Sequence, residues 1–292
     1  MPNIKTSGIV NALNCIVEAL RKLAISSVPA GGTIGQVLSK NSDTAFDVKW
    51  STPTDGVSEW SATSVQPTLQ SSDDPNYVLR FAANMTAILS VGKKIKYTQH
   101  GSVKYGIVVA VGAYTGGNTD VTVFHGTDYD AENTGTYAIT LLNYSCALTP
   151  IGFPMNPDKW SVIFATSTTY QTQDSPTSDI WYNALSGAIP IGLWNIKLKV
   201  VSGAYRGTTG YCGQKITLST ANNSESDSGF TSGANPGNMV QMFYIHAVEK
   251  VLELAAKTTY YLNFCTVSSS ISWVGIRGEV GTTICKAVCA YL

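Results

Sequence analysis

Charged residues are scarce in this chain of 292 residues. Asp, Glu, Lys and Arg together make up 13% of the sequence, and the formal net charge at pH 7 is zero. Binding to nucleic acid relies on a surplus of Lys and Arg that neutralises phosphate groups. The composition therefore predicts no nucleic-acid partner, and it suits a surface that meets neutral ligands such as sugars.

Long apolar segments are also missing. No stretch reaches the roughly 18 consecutive apolar residues of a membrane-spanning helix, so no membrane span is expected. The apolar run near the N-terminus is interrupted by Asn11 and Asn14, and no small-residue cleavage site follows a basic start. We therefore expect no signal peptide, which agrees with a protein that assembles in the cytoplasm.

The cysteines and histidines lack the spacing of metal sites. None of the six cysteines lies in a CxxC pair, and the three histidines form neither an HxH nor an HExxH motif. We expect no metal and no cofactor. The cysteines are predicted to be reduced, buried small hydrophobic residues, with a disulfide from Cys265 to Cys285 or Cys289 as the alternative.

Motifs of catalysis are absent as well, since the chain has no GxSxG elbow and no P-loop. Three closely spaced carboxylate pairs remain, namely Asp73 with Asp74, Asp128 with Asp130, and Glu225 with Asp227. We interpret them as turn formers and solvated loop charges rather than as a hydrolytic pair. Asn223, Glu225 and Asp227 also offer oxygen ligands for calcium. We assign no catalytic residue, and the expected function is not enzymatic.

A heptad pattern near the N-terminus predicts a helix over residues 7–24. Its apolar residues follow a 4-3-4-3 spacing and form one seam: Ile9, Leu13, Ile16, Leu20 and Leu23. A single helix with such a broad apolar face has to bury it. The seam either packs on its own chain or associates with other copies, and we favour oligomerisation.

The rest of the chain reads as mainly β. Turn residues within 28–50 predict a small hairpin in which Asn41, Ser42 and Asp43 form the turn. Short alternating strands follow in 59–160, which predicts a small β-barrel or sandwich. Alternation continues through 161–292 and predicts a jelly-roll-like sandwich. The expected domains are residues 1–28, 29–58, 59–160 and 161–292.

The segment that follows the predicted helix carries a recognisable pattern, GTIGQVLSKNSDTAFDVKW at residues 32–50. This segment resembles a GxxGQVLxKxSxxxxDxxW module of bacteriophage tail-fibre, head-fibre and related virion surface proteins. The residues that carry the resemblance are Gly35, Gln36, Val37, Leu38, Lys40, Asp47 and Trp50. The preceding glycine run is too short for a collagen repeat, so the resemblance does not extend to a triple-helical shaft.

A second resemblance covers residues 84–160. This region is similar to a β-domain of phage and prophage tail proteins, through Val91-Gly92, Lys96, Gln99, Lys104-Tyr105, the Gly126–Tyr129 stretch, Gly152-Phe153-Pro154 and Lys159-Trp160. Residues 161–292 resemble trimeric receptor-binding tip domains only in general character. The resemblances imply a homotrimeric fibre on the virion surface, attached to tail, baseplate or capsid proteins through its N-terminal segment.

The function implied is a structural fibre subunit that adheres to a host surface glycan. One alternative is a head fibre or decoration protein on the capsid, and another is a polysaccharide hydrolase at a fibre tip. The candidate ligand-binding residues are aromatic and lie among Gly, Ser and Asn: Trp181, Tyr205, Tyr211 and Phe230. Trp181 and Trp194 equally suit a protein core, whereas Tyr205, Tyr211 and Phe230 are expected to be exposed.

Overall fold

A computed structural model of the protein describes residues 6–26, 31–34, 36–42, 44, 47–51, 59–132, 138–235 and 237–292. The fold is mainly β with one short N-terminal helix and several sheets, as predicted. The chain divides into two compact units, Met1–Ser58 and Glu59–Leu292. Within the described residues, no helix combines the length and the hydropathy that a membrane span requires.

The N-terminal unit contains the predicted helix, α1 (Thr6–Ser26). Its apolar side chains at Val10, Leu13, Ile16, Val17 and Leu20 are exposed. Ile9 and Leu23 belong to the same helix, but their side chains lie outside the described part of the structure. The helix is confirmed, and the association of its seam with other copies stays a prediction.

The predicted hairpin is formed by β1 (Val37–Lys40) and β2 (Val48–Ser51), which pair antiparallel with Leu38 opposite Trp50. The Asn41 amide nitrogen donates to the Asp47 carbonyl oxygen at 2.9 Å, which closes the turn. Asp43 lies outside the described residues. The Trp50 ring sits 2.7 Å from where a Cβ on Gly32 would be, so only glycine fits beneath that ring.

Residues 59–160 form a seven-stranded antiparallel sheet that curls into a nearly closed barrel. Its strands run in the order β3-β9-β6-β7-β8-β5-β4. They are β3 (Ser61–Ala62), β4 (Thr68–Asp73), β5 (Asn76–Phe81), β6 (Lys94–Gln99), β7 (Ser102–Val111), β8 (Thr119–Phe124) and β9 (Thr140–Ser145). Leu79, Ile95 and Val121 are fully buried, as the alternation of apolar residues predicted.

Residues 161–292 form two antiparallel sheets around one core, a β-sandwich as expected. The strands are β10 (Ser161–Ser167), β11 (Tyr170–Asp174), β12 (Tyr182–Ile189), β13 (Gly192–Tyr211), β14 (Gln214–Ser219), β15 (Ser232–Ala234), β16 (Asn238–Leu254), β17 (Thr258–Thr266), β18 (Trp273–Arg277) and β19 (Thr283–Cys289). One sheet has the order β10-β19-β13-β18-β11, with β16 on the free side of β13. The other has the order β12-β17-β14-β15.

The barrel and the sandwich share one aromatic core. The ring of Phe124 meets that of Trp194 edge-on with centroids 4.9 Å apart, and Phe153 stacks on Trp160 at the same distance. Lys94 of the barrel donates from its ammonium group to the Tyr291 carbonyl oxygen at 2.5 Å. Trp194 is completely buried, in agreement with the core alternative.

All six cysteines are free. Cys212, Cys265, Cys285 and Cys289 are buried, as predicted, whereas Cys15 and Cys146 are exposed. Burial raises the pKa of the Cys285 thiol to about 12 and that of the Cys289 thiol to about 11. These thiols are therefore neutral core groups at physiological pH.

Candidate functional site

A partly exposed aromatic face lies on the sheet formed by β11, β18, β13 and β16. The Tyr205 ring stacks on Trp273 with centroids 6.3 Å apart and planes 19° apart. The Arg277 guanidinium lies 4.6 Å from the centroid of the Trp273 ring and 5.1 Å from that of Phe243. We call Tyr170, Tyr205, Trp273 and Arg277 the Trp273 face, and Phe243 of β16 borders it.

Strand register explains why these side chains meet. Trp273 is paired with Tyr205 of β13 on one side and with Asp174 of β11 on the other. Directly paired residues, and residues two apart, share one face of a sheet. Gly203 and Gly275 occupy the next row, between Phe243 and Thr172. Because both are glycines, the Arg277 side chain and the Phe243 ring can lie over Gly203, and β11 can approach Gly275 closely.

A shallow depression of about 220 Å³ opens on this face. Its walls are Tyr170, Thr172, Asp174, Trp273 and Arg277. Tyr170 lies on the edge strand and is 64% exposed. The depression therefore combines aromatic planes with a hydroxyl, which donates and accepts hydrogen bonds, and a carboxylate, which accepts them.

Arg277 is held in place from two directions. Its Nε donates to Glu279 Oε1, and its guanidinium contacts both the Phe243 and the Trp273 ring. Glu279 neutralises the positive charge next to the depression. The Trp273 face is consequently almost neutral, apart from the carboxylate of Asp174, and suits an uncharged polar ligand better than an anion.

The structure places the four predicted ligand residues apart from one another. Tyr205 belongs to the Trp273 face but is half-buried rather than exposed as expected. Tyr211 is exposed at the end of β13, and Trp181 is half-buried. Among the described residues, no ring contact joins Tyr205 to the other three. The expected exposure of Phe230 is wrong, because its side chain is only 1% exposed.

Phe230 is buried because its segment is not an open loop. A short 3₁₀ helix, Ser228–Phe230, begins at Asp227, whose carboxylate accepts from the Gly229 amide at 2.8 Å. The Phe230 ring then packs against Tyr260 and beneath the Lys250 ammonium group. Asp227 also pairs with Lys250 at 2.5 Å. These contacts account for Asp227 without the calcium ion that the sequence offered as an alternative.

No motif in the sequence pointed to Tyr170, Asp174, Trp273 and Arg277. The alternation in YQTQD and WVGIR was the available signal, since it places large residues on one strand face. What brings them together is the pairing of β11 with β18 across about a hundred residues of chain. Nothing local in either segment specifies that register.

A second depression, of about 280 Å³, lies where the barrel meets β10. Asp74 and Asp130 both line it. Burial and the nearby Asp74 carboxylate raise the pKa of Asp130. The sequence had paired Asp74 with Asp73 and Asp130 with Asp128. In the structure, Asp73 instead binds Lys257 at 2.5 Å, and Asp128 binds Lys159.

His125 lies in the barrel interior, next to the chain that lines this second depression. Its Nε2 is 2.8 Å from the Tyr97 hydroxyl, and burial lowers the pKa of His125 to about 3. The ring is therefore neutral and packed between Tyr77 and Tyr97. In the part of the chain that the structure describes, no group of three or more His, Cys, Asp or Glu residues could hold a metal.

No family model matches the chain, and no curated protein matches it. Among solved structures it resembles dimeric latent PorU from Porphyromonas gingivalis, at 8% identity and a TM-score of 0.26, over 77% of this chain and 24% of that chain. It also resembles the T13 viral particle of IBDV, at 12% identity and a TM-score of 0.28, over 90% and 67% of the two chains. The chain spans about a quarter of the PorU chain, and similarities this weak carry no argument about function.

Proposed function

We propose that this chain is a structural subunit of a bacteriophage fibre, displayed on the virion surface, that adheres to a host cell-surface glycan through the Trp273 face. The phage assignment is supported by the resemblances at residues 32–50 and 84–160. The hairpin gives that first pattern a physical reason, because Trp50 covers Gly32 and Asp47 closes the turn. Adhesion is supported by the Trp273 face.

The observation that carries the adhesion proposal is the depression beside Trp273. Sugars present an apolar face of C–H groups and a rim of hydroxyls. The Trp273 and Tyr170 rings offer stacking surfaces, while Asp174 and Thr172 offer hydrogen-bonding groups at the rim. With Glu279 neutralising Arg277, a neutral or weakly cationic glycan fits this site best.

Replacing Trp273 with Ala tests the site. We expect at least a tenfold loss of binding to host surface polysaccharide, because the main stacking surface disappears. Tyr114→Ala is the matched control, since Tyr114 is an exposed aromatic residue of the 59–160 region and lies outside the Trp273 face. Binding is measured on the purified full chain by a glycan array and by competition with phage adsorption.

Unchanged binding by Trp273→Ala would remove the Trp273 face from the proposal, and absence of binding by the wild-type chain would remove adhesion. A head fibre, attached to the capsid through the N-terminal segment, is the alternative within virions. In that case a phage that carries Trp273→Ala would plate on its host as efficiently as the wild type.

A fibre-tip polysaccharide hydrolase is a second candidate, favoured by the Asp74 and Asp130 depression. Glycosidases need one protonated and one ionised carboxyl group, and the raised pKa of Asp130 next to Asp74 is of that kind. Incubation of the chain with host polysaccharide should then release new reducing ends, and Asp130→Asn should abolish the release. No release by the wild-type chain rules this function out.

A further inference from the structure

Strand β16 is the longest edge strand of the described structure. It runs for 17 residues, and among the described residues it pairs only with β13. Six of its large apolar side chains are exposed, to between 40% and 62%: Met239, Val240, Phe243, Tyr244, Ile245 and Val251. An exposed edge of this length and composition pairs with other chains unless something covers it.

Among the described residues of the 59–292 unit, the other edge strands are short, polar or covered. β10 and β12 cover each other, since Gly187 of β12 lies against the Phe164 carbonyl oxygen of β10. β3 and β15 have two and three residues, and β4 and β11 carry mostly polar residues, TLQSSD and YQTQD. In β16, by contrast, residues 239–248 contain no Lys, Arg, Asp or Glu. His246 is the one titratable group of that stretch besides Tyr244, and burial lowers the pKa of His246 to about 4. Nothing in this sequence discourages association.

The exposed apolar residues occupy both faces of β16. Met239, Phe243, Ile245 and Val251 are an even number of residues apart and point to one face, while Val240 and Tyr244 point to the other. A single flat partner covers one face of a strand. Covering both faces and the free edge requires neighbours on two sides.

We propose that β16 is the surface through which copies of this chain associate, with each β16 held between two neighbouring copies around a three-fold axis. In a cyclic trimer every subunit contacts two others, so one strand near the axis meets a neighbour on each side. A two-fold dimer would leave one face of β16 in water. The count of three rests on the proposed fibre function, because the resemblances imply a homotrimeric fibre; the surface itself rests on β16 alone.

The available area agrees with a stable self-association. Large apolar side chains carry roughly 150–250 Å² each, so the exposed parts of these six leave on the order of 500 Å² per copy. A standard interface takes about 800 Å² from each partner, a little over half of it apolar. The apolar surface of β16 therefore matches the apolar part of one such interface, or about half of the apolar part of each of the two interfaces that a copy makes in a trimer.

The test introduces a charge on each face of β16 in the full chain, through Tyr244→Lys combined with Ile245→Lys. We expect light scattering to report three copies for the wild type and one copy for this variant. The matched control is Leu148→Lys with Ile151→Lys, which puts the same charge on two even more exposed apolar residues outside β16 and should keep three copies. Near-UV circular dichroism verifies that each variant is folded.

A wild-type chain of one copy, or an unchanged mass for the β16 variant, overturns the proposal. So does a trimer that survives in the β16 variant and is lost in Leu13→Asp with Leu20→Asp, because helix α1 would then hold the copies together. A two-copy wild type that the β16 variant reduces to one copy supports the surface and overturns the count of three.

Hydrogen exchange on the wild-type chain gives a measurement that needs no variant. The amides of residues 239–251 that point away from β13 should exchange at least tenfold more slowly in the assembly than at concentrations where the copies separate. Equal exchange rates overturn the proposal. Failure of glycan binding in an intact assembly would remove adhesion and leave this inference standing.

Discussion

His246 is buried in the sandwich between two hydroxyl groups. Its Nε2 lies 2.6 Å from the Ser202 hydroxyl and its Nδ1 2.9 Å from the Ser232 hydroxyl. A neutral imidazole has one donor and one acceptor nitrogen, and each serine can supply the complementary group. Burial without a carboxylate partner lowers the pKa of His246 to about 4, so a proton is bound more weakly in the folded state than in the unfolded chain.

This difference predicts acid sensitivity. The unfolded chain binds the proton near pH 6.5 and the folded chain only near pH 4, so stability is full above pH 6.5 and falls as the pH drops toward 4. The loss attributable to His246 is about 3 kcal/mol over that range. His125, with a pKa lowered to about 3, adds to the same trend.

Replacing His246 with Gln should make that pH dependence shallower and leave the part due to His125, because the amide still bonds to both serines but does not titrate. Urea unfolding measured at intervals from pH 8 to pH 4.5 provides the test. Above pH 7 the curves of variant and wild type should run parallel, which is the internal control. An unchanged slope below pH 6.5 would contradict a neutral, buried His246.

At the scale of single elements, Gly275 decides how closely β11 approaches β18. A Cβ at this position would collide with the backbone of Gln171 and Thr172, which belong to β11. Tyr170, Thr172 and Asp174 reach the Trp273 face only because β11 lies this close. The glycine therefore shapes the candidate site without contacting a ligand.

Gly275→Ala should push β11 away, destabilise the fold by about 1–3 kcal/mol and weaken glycan binding. Gly233→Ala is the matched control, because a Cβ there meets only ordinary contacts with the Lys215 side chain, and its effect should stay within about 0.5 kcal/mol. Denaturant unfolding and binding to host polysaccharide check both variants. Full binding by a stable Gly275→Ala variant would show that β11 does not contribute to the site.

At the scale of the whole molecule, the barrel and the sandwich of the 59–292 unit meet through aromatic rings. Phe124 belongs to the barrel, Trp194 to the sandwich, and Trp160 lies where one passes into the other. Their edge-on contacts form part of one continuous core cluster. The sequence predicted a domain boundary between residues 160 and 161, next to Trp160. An unfolding experiment tests whether this boundary separates two independently folding units.

We expect residues 59–292 to unfold in a single thermal transition. Trp194→Ala should lower the stability of the whole unit by about 3–5 kcal/mol, because a fully buried ring is removed from the shared core. Trp181→Ala, at a half-buried position, should cost less. Calorimetry would contradict the shared core if Trp194→Ala shifted only one of two separate transitions.

Much of the fold could be predicted from local pattern. The 4-3-4-3 spacing predicted the helix, and alternation predicted strands such as β5, β6 and β8 with their buried faces. The candidate site was harder to predict from the sequence. Tyr205 was predicted, but Trp273 and Arg277 were not, and Phe230 was expected at the surface although the Asp227 cap and Lys250 hold it in the core.

The sequence by itself determined the composition and the local structure: a surface with few charges, thiols suited to a core, one amphipathic helix and a succession of short strands. These follow from composition and from periods of two and 3.5 residues, which are local properties. Only the tertiary structure decided that Tyr170 would stand next to Arg277, and that β16 would be left as an apolar edge. Strand register joins residues far apart in the chain, and it depends on how all the buried faces pack together.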